Sequence, residues 1–166
     1  MSERKYILNH ESANQKLHRM ALELAENLSG SEADIILIGV RNSGTVIAEK
    51  IAAFLKPYVK NQVINITVSL DKDLPKEVLL SENLNFTDLN IVLIDDVANS
   101  GKTLLYGLKP LMEYYPRTIQ TLVLVERMHK LYPVKPDYVG LSIATTPKDH
   151  IQVEVANGEV IGAYIG

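Results

Sequence analysis

The chain has 166 residues, 46% of them hydrophobic and 22% charged, a length and balance that suit one globular domain with a real core. A net charge of −3 and a pI near 5.8 offer no bulk attraction to nucleic acid or to an anionic membrane. The absence of cysteine rules out a disulfide framework and thiol chemistry, and no apolar run is long enough to cross a bilayer.

The amino terminus, Met1-Ser-Glu-Arg-Lys-Tyr-Ile7, lacks the apolar core of a secretion signal, which together with the missing cysteines fits a cytoplasmic protein. Residues 11–28 carry Leu17, Met20, Ala21, Leu24, Ala25 and Leu28 at helical spacing, with Ser12 as the expected cap and Gly30 as the expected stop. Ile35-Ile-Leu-Ile-Gly-Val40 is apolar on both faces, the pattern of a buried parallel strand. It runs into Arg41-Asn42-Ser43-Gly44 and a helix from Thr45 to about Leu55, stopped by Pro57. Val63–Val68 alternates as a more exposed strand does.

Residues 70–88 are polar and separate two strands. A lid and a β-hairpin excursion around Val78-Leu79-Leu80 both fit this stretch and do not exclude each other. Ile91-Val-Leu-Ile94 is a further buried run, followed by Asp95 and Asp96, a loop of small residues, and a helix from about Gly101 to Tyr115 that Pro110 kinks or ends early. Strands follow at Ile119–Val125, Tyr138–Ala144, Ile151–Val155 and Val160–Ile165, the last two joined through the hairpin signal Asn157-Gly158. Strand–helix alternation through residue 115 predicts an α/β fold with a mostly parallel sheet covered by helices on both faces. The strand-rich carboxyl end predicts an antiparallel edge or a small subdomain.

Chemistry concentrates in Ile91-Val-Leu-Ile-Asp-Asp-Val-Ala-Asn-Ser-Gly-Lys-Thr103. An acid pair at the carboxyl end of a buried parallel strand sits where open α/β sheets bind ligands. The small residues after it let main-chain N–H groups approach an anion. Carboxylates for hydroxyls or a metal ion, beside a cradle for phosphate, suit a sugar phosphate. A plain solvated strand end would explain an isolated acid pair, but not the agreement of the flanking pattern. Gly39-Val-Arg-Asn-Ser-Gly44 is a second candidate anion site at the same sheet edge, with Arg41 as a fork for oxyanions. Alone it resembles any strand-to-helix turn. Gly101-Lys-Thr103 invites a P-loop reading, which fails because the position that needs glycine is Asp96, and Lys102 is then expected to face solvent. Glu126-Arg127-Met-His-Lys130 fits a ligand contact above the sheet edge and equally a solvated loop. His10, His18, His129 and His150 lack metal-ligand spacing. With no nucleophile–base pattern, catalysis would rest on positioning and electrostatics.

Val92–Thr103 resembles the phosphoribosyl-pyrophosphate signature of type I phosphoribosyltransferases, and Gly39–Gly44 resembles that family's pyrophosphate loop, which in many members holds a cis peptide. The order of elements is most similar to the bifunctional pyrimidine operon attenuator/uracil phosphoribosyltransferase branch. Leu124–Gly140 and Ala144–Val153 are especially similar to it. The chain departs from the branch at three places. Ser69-Leu-Asp-Lys72 stands for Tyr-Arg-Asp-Asp, Glu126-Arg-Met-His129 for Asp-Arg-Gly-His, and His18-Arg-Met-Ala-Leu22 for Thr-Arg-Ile-Ala-His. The first two bear on uracil specificity and the third on RNA binding. Asn99 stands where users of 6-oxopurines place an aspartate, and an amide cannot exchange a proton near neutral pH.

The resemblance implies a type I phosphoribosyltransferase fold in a single domain over residues 1–166, with a lid at about 70–88 and a small carboxyl-terminal hood at about 126–166. It implies transfer of 5-phosphoribosyl from phosphoribosyl pyrophosphate to a nucleobase, uracil first, with release of pyrophosphate. Asp95 and Asp96 would hold the ribose hydroxyls and Mg2+, through water or substrate. The stretch Val97, Ala98, Asn99, Ser100, Gly101, Lys102 and Thr103 would hold the 5′-phosphate, Arg41 with Asn42, Ser43 and Gly44 the pyrophosphate, and Arg127 would touch substrate from the hood. A cytoplasmic homodimer follows from the same resemblance. Two rivals share the fold: a nucleotide-gated RNA-binding regulator of pyrimidine genes, and a nucleotide-binding protein weak in catalysis.

Overall fold

In the computed structural model, which describes residues 3–166, the chain opens with a short strand, β1 (Lys5–Asn9), where the sequence pattern announced none. Asn9 ends it and caps the next element. Its Oδ1 accepts the Ser12 N–H at 2.8 Å, while Ser12 Oγ accepts the Asn9 N–H at 2.9 Å. This reciprocal box starts α1 (His10–Asn27), so Ser12 lies inside the first turn and is not the cap. The helix is closed by Leu28 rather than by Gly30.

β2 (Ile35–Val40) is buried at every position, and α2 (Ser43–Leu55) passes at Pro57 into a 3-10 turn, Lys56–Tyr58. β3 (Val63–Leu70) runs past Val68, because β4 (Val78–Leu80) folds back along it with Val68 opposite Leu80 and Leu70 opposite Val78. The polar stretch 70–88 therefore contains the hairpin excursion. β5 (Asn90–Ala98) leads to α3 (Lys102–Gly107), which gives way to a 3-10 turn, Lys109–Glu113, at Pro110. The expected helix to Tyr115 is thus cut short, as a proline without an N–H dictates. β6 (Thr118–Arg127), β7 (Tyr138–Ile143), β8 (Ile151–Ala156) and β9 (Glu159–Ile165) complete the chain.

The main sheet has six strands in the order β4-β3-β2-β5-β6-β7, parallel except for β4. One face packs Leu37, Ile94 and Leu124 against Leu17 and Leu24 of α1 and Ile47 and Ile51 of α2. The other packs Ile36, Ile38, Leu93 and Val123 against Phe86, Leu104 and Leu111. This is the helix-covered parallel sheet that the alternation predicted.

The carboxyl end differs in detail from a hood running through residues 126–166. β7 is the edge of the main sheet, and the small antiparallel sheet has the order β1-β9-β8, borrowing a strand from the other end of the chain. Asn157 (φ 53°) and Gly158 (φ 74°) make its tight turn, as their dipeptide predicted.

Candidate active site

β2 and β5 are hydrogen-bonded neighbours, yet the chain visits β3 and β4 between them. It leaves β2 toward one edge of the sheet and resumes at β5 on the other side. The carboxyl ends of β2 and β5 therefore flank the topological switch point, the crevice where open α/β sheets hold ligands. Both sequence motifs meet there because glycine allows it. A Cβ on Gly44 would lie 2.9 Å from the Ile94 carbonyl oxygen and 3.1 Å from Asp95 Cα. A Cβ on Gly39 would lie 2.8 Å from Thr45 Cα. The peptide Arg41-Asn42 is cis.

Outside β5 lies a cavity of about 240 Å³. Its walls come from Ser43, from Lys72, from the run Asp96–Leu104, and from Ile151–Val153 of β8. The whole predicted loop, Val97, Ala98, Asn99, Ser100, Gly101, Lys102 and Thr103, thus surrounds one cavity. Gly101 has φ 88°, a left-handed conformation that favours glycine. The loop is braced from behind: the Ser100 carbonyl accepts the N–H groups of Leu131 and Tyr132, both at 3.0 Å. A Cβ on Gly101 would lie 3.1 Å from the Val134 carbonyl oxygen, so the 131–134 segment packs directly against the loop.

The acid pair divides. Successive strand residues point to opposite faces, and here only Asp96 borders the cavity. Asp95 is buried, 1% exposed. Its Oδ1 accepts the Asp96 N–H at 2.8 Å, its Oδ2 has no hydrogen-bond partner, and the nearest cation is Lys72 Nζ at 3.7 Å. Burial first, and then the adjacent Asp96 charge, push the Asp95 carboxyl well above its ordinary pKa, with Lys72 pulling the other way. Of the two expected carboxylates, Asp96 is the one on the cavity wall and Asp95 lies buried beside it.

Other expected residues fall in different places. Arg41 and Asn42 are exposed and Gly44 is buried, and Ser43 is the member of that turn on the cavity wall. Lys102 does not simply face solvent, since its Nζ donates to the Asp73 carbonyl at 2.6 Å and ties the 70–88 segment to the loop. Arg127 does not line this cavity, and has Nε on Thr145 Oγ1 at 2.7 Å and a terminal nitrogen on the Thr146 carbonyl at 2.9 Å. It fastens β6 to the loop before β8. Next to it, Glu126 is buried, takes the Ser142 hydroxyl at 2.9 Å and pairs with Lys130 at 3.2 Å. Lys72 and Gln152 are cavity residues that the motifs did not single out. The signal for Lys72 was its place in the 70–88 segment, whereas nothing local marked Gln152.

Among the described residues, no group of three or more His, Cys, Asp or Glu side chains could cage a metal. A cation held by one carboxylate and by substrate oxygens fits this donor set, which is the manner of Mg2+.

Residues 3–157 match the family model described as the phosphoribosyl transferase domain. The chain is 32% identical over 160 residues to the bifunctional protein PyrR of Clostridium novyi (strain NT), covering 90% of this chain and 89% of the relative. It is 30% identical over 180 residues to the bifunctional protein PyrR of Bacillus subtilis (strain 168), covering 99% and 98%. Among solved structures, hypoxanthine phosphoribosyltransferase of Trypanosoma cruzi superposes with a TM-score of 0.81 at 15% identity, over 97% of this chain and 95% of that one. A hypoxanthine-guanine phosphoribosyltransferase of Bacillus anthracis does so with a TM-score of 0.70 at 22% identity, over 91% and 87%. At such identities these structures speak for the fold, that of a type I phosphoribosyltransferase.

Proposed function

The chain belongs to the phosphoribosyl transferase domain family, and from that premise we propose that it moves 5-phosphoribosyl from phosphoribosyl pyrophosphate to uracil, releasing pyrophosphate. The observation that carries this reading is one cavity at the switch point, bounded by the Asp96 carboxylate and by the continuous loop Ala98–Thr103. Asp96 would accept the ribose hydroxyls. Main-chain N–H groups of Ala98–Thr103, with the hydroxyls of Ser100 and Thr103, would hold the 5′-phosphate. Ser43, with the Arg41 guanidinium and the N–H groups of Asn42 and Gly44, would meet the pyrophosphate from the other wall.

Breaking the bond between sugar and pyrophosphate leaves positive charge on the ribose ring. The Asp96 carboxylate stabilises that charge where it develops, without needing to reorganise. The lysine–carbonyl tie between Lys102 and Asp73 suits a lid that closes the cavity against water, since hydrolysis competes with transfer. Asn99, an amide that does not exchange protons, favours a base that needs no acid–base partner at this position. Mg2+ would be held by Asp96 together with donor oxygens, and when bound it supplies charge neutralisation for the leaving pyrophosphate.

A homodimer in the cytoplasm is the assembly and location this reading carries. Sedimentation of the purified chain measures the first. The relatives are named bifunctional, but we assign no RNA role to this chain. In that helix stretch the chain keeps the branch's arginine as Arg19 and departs at His18, Met20 and Leu22; Arg19 donates to the Val139 and Gly140 carbonyls at 3.0 Å each. RNA affinity that fell steeply with salt would reverse that judgement.

The test is pyrophosphate release with the sugar donor, Mg2+ and a panel of bases, in the wild type and in Asp96→Asn. Uracil should lead the panel, and the variant should lose ~10²-fold or more in turnover, the scale of a lost electrostatic contact. Wild-type rates in the variant would remove Asp96 from the mechanism. Silence with every base would remove the transferase reading.

A further inference from the structure

We infer that Lys72 is a binding residue for the phosphoryl oxygens of the sugar donor, an assignment that rests on the transferase reading above. Lys72 sits just beyond β3, at the root of the polar segment, and lines the same cavity as the Ala98–Thr103 loop. Two contacts fix the backbone around it. Asp71 Oδ1 accepts the N–H groups of Asp73 and Leu74 at 2.9 and 3.2 Å, closing a tight turn over Lys72. The Asp73 carbonyl is gripped by Lys102 Nζ at 2.6 Å. The ammonium of Lys72 is thereby held above the cavity by a turn that is tied to the loop itself.

Its contact in this structure leaves it available. Lys72 Nζ stands 3.7 Å from Asp95 Oδ2, too far for a hydrogen bond, and its side chain is 50% exposed. Asp95 Oδ2 has no hydrogen-bond partner. An ammonium has three donors, and this one spends none on the carboxylate it faces. Of the two lysines on the wall, Lys102 already donates to a carbonyl. Lys72 is the one with its donors free.

The charge balance of the cavity needs such a cation. Its wall carries the Asp96 carboxylate, and Asp95 lies beside it, buried. A donor with a phosphate and a diphosphate brings several negative charges toward those carboxylates. A lysine acts on phosphate as a mobile point charge. Moving from Asp95 to a phosphoryl oxygen exchanges a loose ion pair for a hydrogen-bonded one. Lys72 thus acts as a cationic clamp on the donor from the polar 70–88 segment.

Titration calorimetry with phosphoribosyl pyrophosphate, and with inorganic pyrophosphate as a smaller probe, tests this on the full chain. Lys72→Met should weaken donor binding about tenfold or more, which is about 1.4 kcal/mol. Donor affinity should become less sensitive to salt, while KM for the base stays put. Lys72→Arg should restore donor affinity to within about threefold. Lys76→Met, a charge change elsewhere in the same segment, should bind donor as the wild type does. Lys72→Gln, read the same way, serves if the Met variant is unstable. Wild-type donor affinity in Lys72→Met, or an equal loss in Lys76→Met, overturns the assignment and leaves the transferase reading standing. A wild-type chain that binds no donor overturns both.

Discussion

Replacing Asp95 by Asn keeps the shape of the side chain and removes its charge. The carboxyl is 1% exposed; one oxygen accepts the Asp96 N–H at 2.8 Å and the other has no hydrogen-bond partner. An unsatisfied buried polar group costs roughly 1–3 kcal/mol, and an ionised one costs more. Burial, followed by the Asp96 charge, raises this pKa well above 3.8. The folded protein therefore keeps the proton at pH values where the unfolded chain has released it. More protons bound in the folded state means that stability falls as pH rises from about 3.9, and the loss is complete above the folded-state pKa. The Asn variant escapes that loss. It should be more stable than the wild type by ~1–3 kcal/mol at pH 7, a rise of roughly 2–10 °C in Tm for a chain of this size. Near pH 3, where the carboxyl is protonated in both states, the gap should close. Urea unfolding at a series of pH values measures both ends. A variant less stable at pH 7, or a gap that does not change with pH, refutes the reasoning. Lys72, 3.7 Å away, draws the wild-type pKa back down, so removing its charge should widen the gap.

Two further outcomes probe the packing around the cavity. Gly44→Ala places a methyl group 2.9 Å from the Ile94 carbonyl oxygen and 3.1 Å from Asp95 Cα, both main-chain atoms that cannot swing aside. It should lower stability by ~1–3 kcal/mol, read as a shifted urea midpoint, and weaken donor binding; an unshifted midpoint would mean that the two motifs do not touch. Lys130→Met strips Glu126, 6% exposed, of its partner and should cost ~3–5 kcal/mol, whereas adding Glu126→Gln should recover most of the loss. If the double variant is no more stable than the single one, the pair is not what holds that loop.

Sequence patterning was most legible where every residue of an element obeys one rule. Ile35–Val40 and Ile91–Ile94 are apolar throughout because helices cover both faces of the sheet, and no other placement explains such runs. Asn157-Gly158 was legible because both residues must adopt positive φ. β1 was not, because its partner is at the far end of the chain. Lys5 lies opposite Ile165, and of the strand's side chains Leu8 alone is buried, so no local alternation marks it. The cap of α1 was misplaced for a related reason. Asn9 and Ser12 both have capping side chains, and the end of β1 decides between them. α3 is short because Pro110 follows closely, while Gly107 packs so tightly on Leu93 that a Cβ would lie 2.9 Å from it.

The site divides along the same line, and the acid pair shows why. Asp95 and Asp96 look equivalent as letters, yet the two-residue period of a strand sends them to opposite sides. One meets the cavity, while the other is shut beneath the turn at Gly44 with an oxygen unpartnered. A strand that served stability alone would place an apolar residue at 95, as it does at Leu93 and Ile91. Keeping a carboxyl there lowers stability above its unfolded pKa, the kind of local violation that concentrates at functional sites. Its proximity to Lys72 points to what the violation serves: a buried carboxyl oxygen faces a half-exposed ammonium at the cavity without occupying its donors. Asp95→Asn separates this from direct ligation. If the acid only stations the lysine, the variant should lose donor affinity to about the extent of Lys72→Met, and combining the two changes should add little further. Losses that multiply would mean that Asp95 touches the sugar itself.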